Sequence, residues 1–66
     1  MEITLNGKSH ALDTEVSITA LLESLDTHPQ TVVVEVNGDI VRRPQYDATV
    51  IQAGDTLEVV RFYPGG

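Results

Sequence analysis

Two Asn-Gly steps, Asn6-Gly7 and Asn37-Gly38, stand on either side of a single helical stripe. Asparagine and glycine both accept the positive φ of a two-residue hairpin, so each step predicts a tight reversal between paired strands. Before the first step, Met1, Ile3 and Leu5 alternate with Glu2 and Thr4, the period-two mark of a half-buried strand. The return strand covers roughly Lys8 to Leu12, with His10 and Leu12 on one face, which makes His10 a core or rim residue. Around the second step, Thr31 to Val36 is a β-branched strand with Glu35 marking its outer face. Asp39 to Arg42 returns from it, and Pro44 ends that segment.

Between the hairpins, Ser17 has the side chain of a helix N-cap. Val16 and Leu21 stand where a hydrophobic staple would place them. Ile18, Leu21, Leu22 and Leu25 follow at i, i+3, i+4 and i+7 and form one apolar stripe. Pro29 keeps this helix from continuing. A helix of about two turns does not survive alone in water, so its stripe must be buried against a sheet.

After Pro44, Tyr46 to Val50 reads as loop or a brief turn, and Ala53-Gly54-Asp55 as a turn. Thr56 to Phe62 is the last strand, with Leu57 and Val59 on one face and Val60 and Phe62 on the other. A strand apolar on both faces is central or covers a partner site. The pattern of hairpin, helix, hairpin and final strand predicts an α+β fold of the β-grasp type. In it a mixed sheet of four to five strands packs on one short helix, with the last strand in the middle beside the first. No linker or repeat divides the chain, so residues 1–66 are expected to form a single domain with a flexible tail over 63–66.

Composition excludes several functions. The chain has no cysteine, hence no disulfide and no thiolate. With no signal-peptide pattern either, a cytoplasmic protein is expected. The longest uncharged apolar run, Val32-Val33-Val34, falls far short of the roughly 20 residues of a membrane span. Ten acidic residues against Lys8, Arg42, Arg43 and Arg61 give a net charge of −6. That balance repels phosphate backbones and anionic lipid, which argues against nucleic acid and membrane and for a protein partner with a basic face.

His10 and His28 have no spacing that would bring both to one metal, and no metal site is expected. Asp47, Asp55 and Glu58 read as solvated turn and strand residues, and Arg42-Arg43 as a dibasic step paired with surface acids. No Ser, Thr or Lys is flanked by a plausible base, and a domain this small offers no concave wall, so the chain is not expected to be an enzyme.

Directed chemistry is concentrated in Arg61-Phe62-Tyr63-Pro64-Gly65-Gly66. Pro64 fixes its own φ and pushes Tyr63 toward extended geometry, so the tail is expected to project from the sheet. Four residues beyond Phe62 reach about 13–14 Å, enough to place a carboxylate inside another protein's cleft. Gly65 and Gly66 lack Cβ atoms and can enter a narrow site in conformations other residues avoid.

The chain resembles the small ubiquitin-like sulfur carriers, most closely the thiamin-biosynthesis carriers of the ThiS type. The resemblance rests on Val36-Asn37-Gly38-Asp39-Ile40-Val41-Arg42-Arg43, on Gln52-Ala53-Gly54-Asp55-Thr56-Leu57-Glu58-Val59-Val60 and on Gly65-Gly66. It implies that an E1-like adenylating enzyme of the ThiF type uses ATP to adenylate Gly66. A persulfide donor would then convert that end to a thiocarboxylate, and a thiazole synthase of the ThiG type would accept the sulfur. ATP and Mg²⁺ would act in the activating partner, with no cofactor bound by this chain. Val60 and Phe62, with Tyr63, are the expected docking surface beside the tail. Three other readings stay open at this level: a carrier for another sulfur metabolite such as molybdopterin, a protein modifier joined through Gly66, and a non-covalent interaction module.

Overall fold

The computed structural model describes residues 1–62. Strand β1 (Glu2–Leu5) turns at Asn6-Gly7, with φ of 50° and 81°, and pairs antiparallel with β2 (Lys8–Ala11). Strand β3 (Val32–Val36) turns at Asn37-Gly38, with φ of 52° and 89°, and pairs antiparallel with β4 (Asp39–Val41). Both Asn-Gly steps therefore adopt the positive-φ pair that the right-handed twist of a hairpin favours. Strand β5 (Thr56–Arg61) runs parallel to β1 and antiparallel to β3, giving the order β2-β1-β5-β3-β4. This five-stranded mixed sheet with one helix on its face is the expected β-grasp, with the last strand at its centre.

Helix α1 (Ile18–Ser24) begins as its sequence predicts: the Ser17 hydroxyl accepts from the Ala20 N–H at 3.1 Å. Ile18, Leu21 and Leu22 are fully buried against the sheet, and Leu25 is half-buried. The helix stops well before Pro29. Asp26 takes a left-handed φ of 54°, its N–H bonds to the Glu23 carbonyl at 3.0 Å, and the Thr27 N–H bonds to Leu22 at 2.9 Å. These two bonds form a Schellman cap with aspartate where glycine is usual. Pro29 instead opens a 3-10 turn, Pro29–Thr31, whose first free N–H, on Gln30, is accepted by the His28 ring at 3.1 Å.

The core contains Ile3, Val32, Val34 and Leu57 from the sheet and the three helical residues, together with Tyr46 and Ile51. Tyr46 opens the segment that reads as loop or a brief turn and Ile51 directly follows it, yet this stretch seals the helix N-terminus. The first helical N–H groups have no partner within the helix. Here Ile18 donates to the Thr49 carbonyl at 3.0 Å and Thr19 to the Tyr46 carbonyl at 3.4 Å. The Ile51 N–H bonds back to Val16 at 2.8 Å, so the segment cannot leave without exposing Ile51. No helix among the described residues is long and apolar enough to cross a membrane.

Three polar residues that look like ordinary turn residues tie β5 into place. The Asn6 side chain accepts from the Val59 N–H at 2.8 Å, and the Asn37 side chain accepts from Thr56 at 2.9 Å. Asp55 accepts from the Gln52 N–H at 2.8 Å and from the Asn37 amide at 3.0 Å, so it is a structural turn residue and not a merely solvated one. Asp47 likewise accepts from the Thr19 hydroxyl. Leu57→Ala should destabilise the domain by about 2–5 kcal/mol, because it empties fully buried volume at the centre of the sheet. Asn6→Ala should cost about 1–3 kcal/mol by orphaning the Val59 N–H and straining the turn, measurable by urea denaturation.

Candidate functional site

Strand β5 divides its side chains between two environments. Leu57 is fully buried and Val59 half-buried under the helix. On the opposite face, away from the helix, Val60 is 52% and Phe62 37% exposed. Register places Val33 directly across from Val60 and Ile40 across from Glu35, so these two exposed residues extend the same face. Their membership was legible in principle: Val33 is two residues from Glu35 on one strand and must share its face.

The open face also carries charge. Glu35 and Glu58 lie directly opposite each other on β3 and β5, and Glu2 lies on the same face of β1. Like charges directly opposite in a sheet are unfavourable by some tenths of a kcal/mol. Neither carboxylate of the pair accepts a hydrogen bond among the described residues. The surface is thus an apolar strip beside a negative one, suited to a protein face that pairs apolar side chains with a cation.

At the end of β5 the ladder continues by one bond, from the Phe62 N–H to the Thr31 carbonyl at 3.1 Å. Arg43 stands beside this point, with its guanidinium carbon 5.9 Å from the centre of the Phe62 ring. Among the described residues it pairs with no surface acid, as its sequence suggests it would, but donates through Nε to the Pro29 carbonyl at 3.1 Å. Tyr63, Pro64, Gly65 and Gly66, the predicted tail and modification site, lie outside the described residues.

The two histidines sit apart. His10 is half-buried opposite Ile3 on β2, whereas His28 caps the 3-10 turn. Among the described residues no three His, Asp or Glu side chains gather as metal ligands would. Since Val60 and Phe62 are surface residues, Val60→Ser and Phe62→Ser should each shift the melting temperature by less than about 4 °C in a thermal scan.

Comparison with known proteins places these features in a family. The model of the ThiS family matches residues 3–66. The crystal structure of a thiamine biosynthesis protein (ThiS) from Geobacter metallireducens superposes with a TM-score of 0.86 at 36% identity, over the whole of both chains. The solution structure of a thiamine biosynthesis protein from the same organism gives 0.82 at 36% identity, over all of this chain and 88% of that one. The chain is also 41% identical over 66 residues to a thiazole synthase of Magnetococcus marinus and 33% identical to one of Paramagnetospirillum magneticum. It spans 20% of the length of each of these two synthases. Family match, fold and full-length structural likeness agree, and the chain belongs to the ThiS family.

Proposed function

We propose that this chain is a sulfur carrier for assembly of the thiazole ring of thiamin, with Gly66 as the carrying residue. The observation that carries this reading is the family match, which runs through Gly65 and Gly66. The chain acts as a carried substrate and not as an enzyme. An adenylating partner of the ThiF type supplies ATP and Mg²⁺, and the Gly66 carboxylate attacks the α-phosphorus, releasing pyrophosphate. The chemical need is plain, since a carboxylate is a poor electrophile and an acyl-adenylate carries a good leaving group. The terminal sulfur of a donor persulfide then attacks the carbonyl carbon and AMP departs. A second thiol cleaves the resulting S–S bond, forming a disulfide with the donor and leaving a thiocarboxylate on Gly66. All of these steps take place in the cytoplasm.

The acceptor in this reading is a thiazole synthase of the ThiG type. Support comes from the two synthases that contain a segment similar to this chain. Covalent linkage raises the effective concentration of groups that must meet, a physical reason for a carrier and its acceptor to share one chain. Docking uses the open sheet face, with Val60 and Phe62 central to it and Tyr63 leading into the tail. Gly65 lets partner backbone approach without a side-chain clash.

Incubation with ATP, Mg²⁺, a persulfide-generating system and the ThiF-type enzyme, followed by intact mass measurement, tests the reading. Replacement of one oxygen by sulfur is expected. In Gly66→Ala the rate should fall by about 100-fold or more, the usual scale for displacing a reacting group by an ångström, with melting unchanged. High-molecular-weight conjugates in place of a thiocarboxylate would turn the reading to a protein modifier. Val60→Ser should weaken binding to the activating enzyme by about tenfold or more, as judged by titration calorimetry.

A further inference from the structure

We infer that Arg43 is a positioning residue for the carrier's terminus: it braces Phe62, the last described residue, four positions before Gly66. The inference rests on the carrier reading above, and its geometry stands on the described residues alone.

Phe62 has one backbone bond beyond β5, to the Thr31 carbonyl at 3.1 Å, and the residue is 37% exposed. A terminal rung with an open side chain frays unless something holds it. Arg43 supplies that hold from a third element. Its guanidinium carbon lies 5.9 Å from the ring centre, within reach of the π face, and its Nε–H is spent on the Pro29 carbonyl at 3.1 Å. Both anchor carbonyls, Pro29 and Thr31, belong to the same 3-10 turn. That turn is fixed by the His28 cap and by the Thr31 hydroxyl on the His28 carbonyl at 2.7 Å.

The base of Arg43 is equally firm. The next 3-10 turn, Arg43–Gln45, is followed by Tyr46, whose N–H bonds to the Arg43 carbonyl at 3.1 Å and whose ring is buried in the core. Arg43 thus ties Phe62 to the core through well-bonded turns. Lysine could offer the charge but not the planar fork that bonds a carbonyl while covering a ring. A pre-ordered Phe62 spares the partner the entropy of fixing that side chain when it docks.

Arg43→Ala, Arg43→Lys and Arg42→Ala are compared with the wild type. Arg42→Ala removes the same charge from a neighbouring residue that makes no side-chain hydrogen bond among those described. In Arg43→Ala the Phe62 amide should exchange with solvent about three- to tenfold faster, with Arg43→Lys between it and the wild type. The melting temperature should stay within about 4 °C. With the ThiF-type enzyme, half-saturation should need about three- to tenfold more Arg43→Ala protein, with the rate at saturation held. Unchanged Phe62 exchange in Arg43→Ala, an unchanged half-saturating concentration, or an equal rise in Arg42→Ala overturns the inference. If the wild type gains no sulfur, the carrier reading fails, and the amide-exchange comparison still decides whether Arg43 braces Phe62.

Discussion

The two hairpins of this protein share no hydrogen-bonded rung with each other; each is joined to the sheet through β5. Everything else depends on that strand. It follows both hairpins in chain order and is the most central, so neither hairpin has the shared sheet to belong to without residues 56–61. Its N–H groups at Thr56 and Val59 lie where the ladder would otherwise lapse, and the Asn37 and Asn6 side chains accept from them. The asparagines that turn the hairpins are the same ones that fasten the hairpins to the centre. Positive φ alone would allow other choices, but the side-chain oxygen narrows them.

Much of this architecture is readable from residue order, because period-two alternation, Asn-Gly steps and an N-cap serine are local signals that tertiary structure here reinforces. Helix α1 is a clear instance: Ser17, Ile18, Leu21 and Leu22 do what their spacing predicts. Its end was not readable in the same way, since the stop comes from Asp26 in a left-handed conformation and not from Pro29. Tyr46 and Ile51 were illegible as core for a different reason. They lie in irregular backbone with no period to betray them, and their burial comes from docking onto the helix N-terminus across some thirty residues of chain. Asp55 hides its role because its partners, Gln52 and Asn37, are set by the meeting of two turns.

The candidate site was legible in part. Val60 and Phe62 could be placed on one face by alternation, and whether that face was covered could be decided only by where the helix packs. Arg43 gave no sign at all. A dibasic step on the surface suggests ion pairing, and the bond to the Pro29 carbonyl depends on a 3-10 turn fourteen residues earlier in the chain. Both faces of β5 are apolar because one serves the core and the other is left open. The open one sits beside Glu35 and Glu58, whose mutual repulsion the fold tolerates without a neutralising partner among the described residues. That cost is small for the domain and becomes a gain for any cation brought to the face.

The parallel pairing of β1 and β5 has a mechanical consequence. Adjacent parallel strands place the start of one and the end of the other at opposite ends of the sheet. A pull on Phe62 along the strand axis therefore acts in shear on the rungs at Thr4 to Asp55 and Asn6 to Leu57, each 2.9 Å, and on the Asn6 side-chain bond to Val59. Rungs in shear share a load, whereas an end strand peeled sideways surrenders them one at a time. Tension applied at the end of β5 is met by the middle of the sheet and not by its edge.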